Sequence, residues 1–302
     1  MTSTLLPVPG VTLGHWTDNT ARTGCSVFLF DEALLAAAEV RGGAPGTREI
    51  EALGTGRIGR RADAILLTGG SAFGLAAADG VMRFLHERGR GFPTTAGRVP
   101  IVPAAVIYDL AVGAPTAPDA SAGYHACLTA VPLTGADWGQ VGAGTGARFG
   151  MVGGGDAVHD GGIGVGQQHT PDGVVTAIVL LNAFGDVLRR DVDAGITVRQ
   201  RYITEGARRS SFPSANEQST LIVVIVDAPS NHRMLHNLCV AAHDGLARRV
   251  VPVHTEVDGD LVFAVARREP PADEPSLATR LRLAIATELA VERAVLAAAS
   301  AA

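Results

Sequence analysis

The chain has 302 residues, is 47% hydrophobic and 18% charged, and contains 37 glycines, enough for one large domain or two intimate ones. A net charge of −5 with no basic block argues against a nucleic-acid partner. All 25 basic residues are arginines, which excludes lysine Schiff-base and lysine general-base chemistry.

Cys25, Cys127 and Cys239 are odd in number and far apart, which fits a reducing compartment better than a disulfide framework. The first seven residues lack the basic region and apolar core of a signal peptide. No apolar run approaches membrane-spanning length. The expectation is a soluble cytoplasmic protein with no membrane partner.

In chain order, residues 25–30 and 34–40 are short apolar runs joined by Asp31-Glu32-Ala33, and read as a hairpin. Arg41-Gly42-Gly43-Ala44-Pro45-Gly46-Thr47-Arg48-Glu49 is a breaker-rich loop. Residues 64–68 read as a strand, Gly69-Gly70 as a turn and residues 71–88 as a helix buried through Phe73, Ala77, Val81, Phe84 and Leu85. Ser71 is placed to cap that helix. Gly69-Gly70-Ser71-Ala72-Phe73-Gly74 misses the G-x-S-x-G spacing of a nucleophile elbow, so capping is the better reading.

Val99-Pro100-Ile101-Val102-Pro103 reads as an extended segment, and Tyr108-Asp109 is a polar pair at the edge of an apolar run. Residues 140–150 and 153–155 are the most glycine-dense part of the chain. Their spacing is not G-x-G-x-x-G and no strand leads into them, so no dinucleotide cofactor is expected. Close backbone packing or a substrate-lining loop explains them better. Residues 174–181 form a strand ending at Asn182, where an amide serves either as an oxyanion donor or as a turn former. Residues 191–216 are polar and arginine-rich and read as an exposed, mobile linker.

That linker delivers the chain into Gln218-Ser219-Thr220-Leu221-Ile222-Val223-Val224-Ile225-Val226, a strand buried on both faces. Ser219 at its start is either a rigidly held nucleophile or an ordinary serine opening a core strand. Residues 231–248 form a helix with His232, His236, Cys239 and His243 along one side. No carboxylate accompanies them, and successive turns lie ~5.4 Å apart, so all four cannot converge on one ion and no metal is expected. Residues 250–253 and 261–266 read as a hairpin around Asp258-Gly259-Asp260. Spacing alone makes that segment an exposed turn with two carboxylates. Residues 276–299 form a last helix, with a stripe through Leu277, Leu281, Ile285, Leu289 and Val291 expected to dock on the core.

Taken together, the Arg41–Glu49 loop, Leu67-Thr68-Gly69-Gly70-Ser71-Ala72-Phe73-Gly74-Leu75, the Val99–Pro103 segment, Val141-Gly142-Ala143-Gly144-Thr145-Gly146-Ala147, Asn182-Ala183-Phe184-Gly185, the Ser219 strand and Ala242-His243-Asp244-Gly245-Leu246-Ala247-Arg248 carry a resemblance. The chain resembles the self-cleaving hydrolases that include D-aminopeptidase A, the β-peptidyl aminopeptidases and the nylon-oligomer endohydrolase. The resemblance implies an α+β fold, a four-layer αββα sandwich like that of N-terminal-nucleophile hydrolases, spanning residues 1–302. It implies scission between Gln218 and Ser219 into residues 1–218 and 219–302, with Ser219 as the nucleophile. Asn182 then matches the oxyanion-stabilising amide, Asp258 and Asp260 the acidic pair, and Tyr108 an active-site tyrosine. Homo-tetramers and a small amide or peptide substrate are implied as well. Gln218 stands where Gly or Asn is usual, and Met151 where threonine-type members carry a lysine. Two readings follow: a self-processing amidase or aminopeptidase, or an unprocessed, catalytically silent relative that binds or scaffolds.

Overall fold

The longest strand, β2 (Thr23–Val40), runs for 18 residues through both halves of the molecule. Successive side chains of a strand point to opposite faces. The even-numbered Phe28, Phe30, Leu34 and Ala36 all face one interior. The odd-numbered residues change company: Cys25 and Val27 face one helical layer, Leu35 and Ala37 another. Its first half pairs with β1 (Val11–Asp18) and β3 (Arg61–Thr68), and its second half with β8 (Leu261–Arg268). The register against β3 shifts between Leu29 and Leu34, around the exposed Asp31 and Glu32. The expected hairpin there is therefore a bent continuous strand. Asp31-Glu32-Ala33 offers no glycine for the positive φ of a tight reversal, and the irregularity bends the strand without turning it back.

The computed structural model describes residues 5–153, 158–189, 198–200, 203, 218–269 and 274–300. The expected linker at 191–216 lies outside the described residues apart from 198–200 and 203, and Gly154 and Gly155 lie outside them too. The hydrogen-bonded path runs β5 (Gly162–Thr170), β6 (Gly173–Leu181), β7 (Leu221–Pro229), β8, β2, β3, β4 (Ala104–Val106), with Thr47–Arg48 at the edge. Because β2 bends, this path folds into two stacked sheets. Between them Phe28, Ile65 and Leu67 meet Ile178, Leu180, Val223, Ile225 and Phe263. Helices α1 (Ala77–His86) and α2 (Ala120–Leu128) cover Val27, Ala64, Leu66 and Ala104 on one outer face. Helices α3 (His232–Ala247) and α4 (Leu277–Ala298) cover Val179, Ile222, Val224 and Ala264 on the other. The result is the αββα arrangement, with β7 buried on both sides.

Four local expectations need correction. Ser71 has φ 53 and lies inside a 3-10 turn, Ser71–Ala76, with no side-chain cap; the α-helix begins at Ala77. A capping serine needs extended backbone, which the double-glycine turn does not leave it. Phe73 is accordingly 74% exposed. Val250–Val251 pairs with Asp186–Val187, so it makes no hairpin with β8, whose two edges are taken by β7 and β2.

The α4 stripe is the fourth. Leu277, Leu281, Ile285 and Leu289 are exposed, and the helix docks through Leu283, Ala286, Ala290, Val291, Ala294, Val295 and Ala298. Of the expected stripe only Val291 is buried. The reason is close approach: a Cβ on Gly164 or Gly166 of β5 would lie 2.1 Å from Ala294 O or 2.2 Å from Ala290 O. A helix pressed that near a sheet presents alanines, so side-chain size misidentifies the docked face.

The four residues along α3 part ways. The ring of His232 is 2.7 Å from Leu53 O, that of His243 is 3.2 Å from Glu39 O, His236 faces the Glu39 carboxylate, and Cys239 is buried. Among the described residues, no helix is long and apolar enough to cross a membrane.

Two leucines two residues apart on α4 should then behave oppositely. Leu283→Ala is expected to cost about 2–4 kcal/mol, as a buried leucine does. Leu281→Ala should stay within about 0.5 kcal/mol in the monomer, where nothing covers it. Urea unfolding of both variants at concentrations that keep the chain monomeric checks the docked face, and equal losses would reverse the assignment.

Candidate active site

Strand polarity assembles the site. β7 runs antiparallel to β6 and parallel to β8, so the end of β6 and the starts of β7 and β8 lie together. Ser219, 5% exposed, stands just before β7. Its backbone N–H donates to Asn182 O at 2.8 Å, at the end of β6. On the other side Gly259 N–H donates to Gln218 O at 2.7 Å and Leu261 N–H to Thr220 O at 3.1 Å. Residues 218–220 are thus clamped between two neighbours before the strand proper begins.

Gly259 has no substitute here: a Cβ would lie 2.4 Å from Ser219 Oγ and 2.7 Å from Ala44 O. The Arg41–Pro45 loop closes over the same turn. Arg41 N–H donates to Asp260 O at 2.9 Å, Ala44 N–H to Asp258 O at 2.8 Å and Gly43 N–H to Thr255 O at 3.1 Å. A Cβ on Gly42 would come within 2.1 Å of Asp258 O, so the clamp also depends on a missing side chain. The sequence marked this segment only as a loop.

Asp258 and Asp260 are each 1% exposed, so the alternative of an exposed turn is set aside. Asp258 Oδ2 accepts from Thr255 N–H at 3.0 Å and Thr255 Oγ1 at 2.6 Å, and its Oδ1 accepts from Phe184 N–H at 3.2 Å. Asp260 Oδ1 accepts from Thr220 N–H at 2.7 Å. Its Oδ2 accepts from His254 N–H at 3.1 Å and lies 2.8 Å from His254 Nδ1. Burial, followed by the nearby Asp260, pushes the Asp258 carboxyl up to about 6 against the three hydrogen bonds that favour its charged form.

Asn182 is 1% exposed, and Arg148 N–H donates to its Oδ1 at 3.0 Å, which sets the amide orientation. Its Nδ2 is buried with no hydrogen-bond partner among the described residues. An orphaned buried donor costs about 1–3 kcal/mol, and such exceptions call for an explanation.

The other sequence candidates are placed less centrally. Tyr108 follows β4 half-buried and makes no hydrogen bond to Ser219, Asn182 or the acids. Its neighbour Asp109 accepts from Gly70 N–H at 2.7 Å and is raised above the usual carboxylate range by burial. Met151 opens a short turn flanked by bonds from Gly150 N–H to Gly185 O and Val152 N–H to Phe184 O, beside the Asn182 segment. Sequence reasoning passed over His254 and Thr255; a His-Thr pair three to four residues before an acid carries no spacing signature of its own.

The architecture is a variant of the N-terminal-nucleophile hydrolase fold. It superposes on an L-aminopeptidase D-Ala-esterase/amidase from Ochrobactrum anthropi, described as a prototype of the serine aminopeptidases, with a TM-score of 0.73 at 18% identity, over 98% of this chain and 85% of that one. A Burkholderia sp. β-aminopeptidase gives 0.70 at 23% identity, over 96% and 84%. In sequence, residues 4–302 match the model of Peptidase family S58. A protein named as an uncharacterized aminopeptidase of Mycobacterium leprae (strain TN) is 36% identical over 291 residues, covering 87% of this chain and 78% of the relative. The 6-aminohexanoate-oligomer endohydrolase of Agromyces sp. (strain KY5R) is 29% identical over 280 residues, covering 86% and 74%. The chain belongs to peptidase family S58 and is a hydrolase of that family.

The raised Asp258 carboxyl makes a stability prediction. The folded chain holds that proton more tightly than the unfolded chain, whose carboxyl titrates near ~3.9. Its contribution is fully present below that pH and is lost as pH rises through about 6. Ser219→Ala, which has no hydroxyl to react, should therefore lose roughly 2 kcal/mol between pH 4 and 7 relative to the double variant with Asp258→Asn. Denaturant titrations of both proteins across that range check it, and parallel curves would place Asp258 in an ordinary environment.

Proposed function

We propose that the chain is a self-processing aminopeptidase or amidase whose nucleophile is Ser219, acting on a small amide or peptide. One observation carries the reading: Gly259 N–H already donates to Gln218 O at 2.7 Å, while Ser219 Oγ packs against the same glycine. The carbonyl to be attacked therefore has a donor in place for the negative charge that attack would create. The hydroxyl adds to the Gln218 carbonyl carbon, the Gln218–Ser219 C–N bond breaks, and an ester forms with a free amine. Water then hydrolyses the ester, leaving Ser219 as a new N-terminus.

An α-amine with an unperturbed pKa near ~8 can take the hydroxyl proton in each later turnover. Asn182 O, which accepts from Ser219 N–H, would keep that amine turned toward its own hydroxyl. The orphaned Asn182 Nδ2 is the donor for the substrate oxyanion, which explains why it is left unpaired. The acids stabilise the protonated amine, so they do not make it a stronger base. Their role is to hold the positive charge that develops as the amine takes the proton, with Asp260 anchored on Thr220 N–H directly behind the nucleophile. Tyr108 hydrogen-bonds none of these groups, and no step is assigned to it.

Purified protein on ageing should give two masses, residues 1–218 and 219–302, and a new N-terminus reading Ser-Thr-Leu-Ile. The pieces should stay together, since β7 and β8 of the smaller piece pair with β6 and β2 of the larger one. Ser219→Ala should remain whole. In pre-cleaved protein, Asn182→Ala and Asp260→Asn should each lower hydrolysis of an amino-acid p-nitroanilide or short amide oligomer by at least ~10²-fold. Aged wild type that stays full-length and inactive would leave the silent-relative reading in its place.

The expected homo-tetramer has a surface to form on. Leu277, Leu281, Ile285 and Leu289 recur every fourth residue on α4 and are 63%, 56%, 56% and 40% exposed. We infer that a second copy of the chain covers this stripe. Light scattering should give a multiple of 31.0 kDa that Leu281→Asp reduces; a monomer mass for wild type at micromolar concentration would refute the assembly.

A further inference from the structure

His254 is a non-glycine residue at φ 55, in the left-handed region that favours Gly and Asn. The conformation folds the ring back over its own backbone, so that two donors of one residue converge on one oxygen. His254 N–H and Nδ1 stand 3.1 and 2.8 Å from Asp260 Oδ2, with Nδ1 as the protonated nitrogen that a carboxylate acceptor requires. The opposite oxygen, Oδ1, accepts from Thr220 N–H at 2.7 Å, and Thr220 follows the nucleophile. A continuous line of contacts thus runs from His254 through Asp260 to the residue beside Ser219. A strained residue held at such a point suggests a role beyond turning the chain.

The surroundings of the ring are built to keep it there. His254 Nε2 is buried with no partner among the described residues. The His243 ring of α3 meets it edge-on, centroids 4.7 Å apart, and is tied through Nε2 to Glu39 O at 3.2 Å. Burial first, then His254, lower His243 to about 4, so it stands as a neutral wall near pH 7. The charged groups facing this cluster are Asp258 and Asp260 from its own loop and Arg41 from the end of β2. The Glu39 carboxylate is turned to Arg41 and to His236, at 3.7 and 3.6 Å.

We propose that His254 is a positioning residue for the hydrolytic site: by holding Oδ2 of Asp260 with two donors, it keeps Oδ1 on the Thr220 N–H behind Ser219. The inference rests on Ser219 being the nucleophile, so the test separates the two. Without the ring donor only the backbone N–H is left on Oδ2, so Asp260 would turn toward Asp258 and the start of β7 would lose its anchor. The Asp258 carboxyl, already raised by burial and by the nearby Asp260, then holds its proton to higher pH.

The experiment compares wild type with His254→Gly, His254→Asn and His254→Leu, on scission by intact mass and on p-nitroanilide hydrolysis by cleaved protein from pH 5 to 9. Glycine relieves the backbone and removes the ring, so the melting temperature should hold. Its kcat should nevertheless fall ~10- to 100-fold, the scale of a displaced catalytic group, with KM within twofold. The acid limb of its kcat profile should move to higher pH. Asparagine tolerates the backbone and returns an N–H near the Nδ1 position, so it should restore most of kcat and the wild-type limb. A glycine variant with wild-type kcat and pH profile would overturn the proposal, as would glycine and asparagine variants equally impaired. If the glycine variant does not fold, asparagine against leucine decides: equal activity overturns the proposal, and activity in asparagine alone supports it. Wild type that neither cuts itself nor hydrolyses the substrate would overturn the nucleophile assignment, and this inference with it.

Discussion

Three segments far apart in the chain meet at Ser219 because β7 has neighbours of opposite polarity. An antiparallel partner brings its last residues to the start of β7, and a parallel partner brings its first. Asn182 arrives by the first route, and Asp258, Gly259 and Asp260 by the second. Either polarity reversed would carry one set to the far end of the strand, about 3.3 Å further for each residue of β7. The site is therefore a consequence of sheet order before it is a matter of side chains, and the side chains only have to be present at the strand ends.

The rigidity of that junction comes from two interiors. Every residue from Leu221 to Val226 is at most 1% exposed, so β7 is gripped by the inter-sheet core on one face and by α3 and α4 on the other. β2 makes this possible by crossing from one sheet to the other at Asp31 and Glu32 while keeping the same inward face. Its far end then supplies the Arg41–Pro45 loop, whose N–H groups hold the carbonyls of the acid turn. The strand that joins the two sheets thus also fastens the site.

Electrostatically, the site concentrates cost in one place. Two carboxylates 1% exposed, an amide with an idle donor and a histidine in the left-handed region all lie within one turn and one strand end. Each would be avoided in a chain selected for stability alone. The close packing around Gly42 and Gly259 leaves no room to relax them. This clustering suits the hydrolytic role proposed for it, since donors and charges held before a reaction need not reorganise during it.

The sequence by itself determined the elements whose signal is local: the apolar run of β7, the strand ending at Asn182 and the two long helices. Resemblance across the whole chain supplied the layered fold. Tertiary structure alone decided where local and global demands part. The run around Asp31 read as a hairpin, and only the two-sheet core chose the bend. The large aliphatics of α4 looked like its buried face, yet contact with Gly164 and Gly166 selected alanines, because distance between backbones, not hydrophobicity, sets which face fits. His254 had no pattern to betray it: its meaning lies in a backbone angle and a partner six residues on, and both exist only once β8 is seated between β7 and β2.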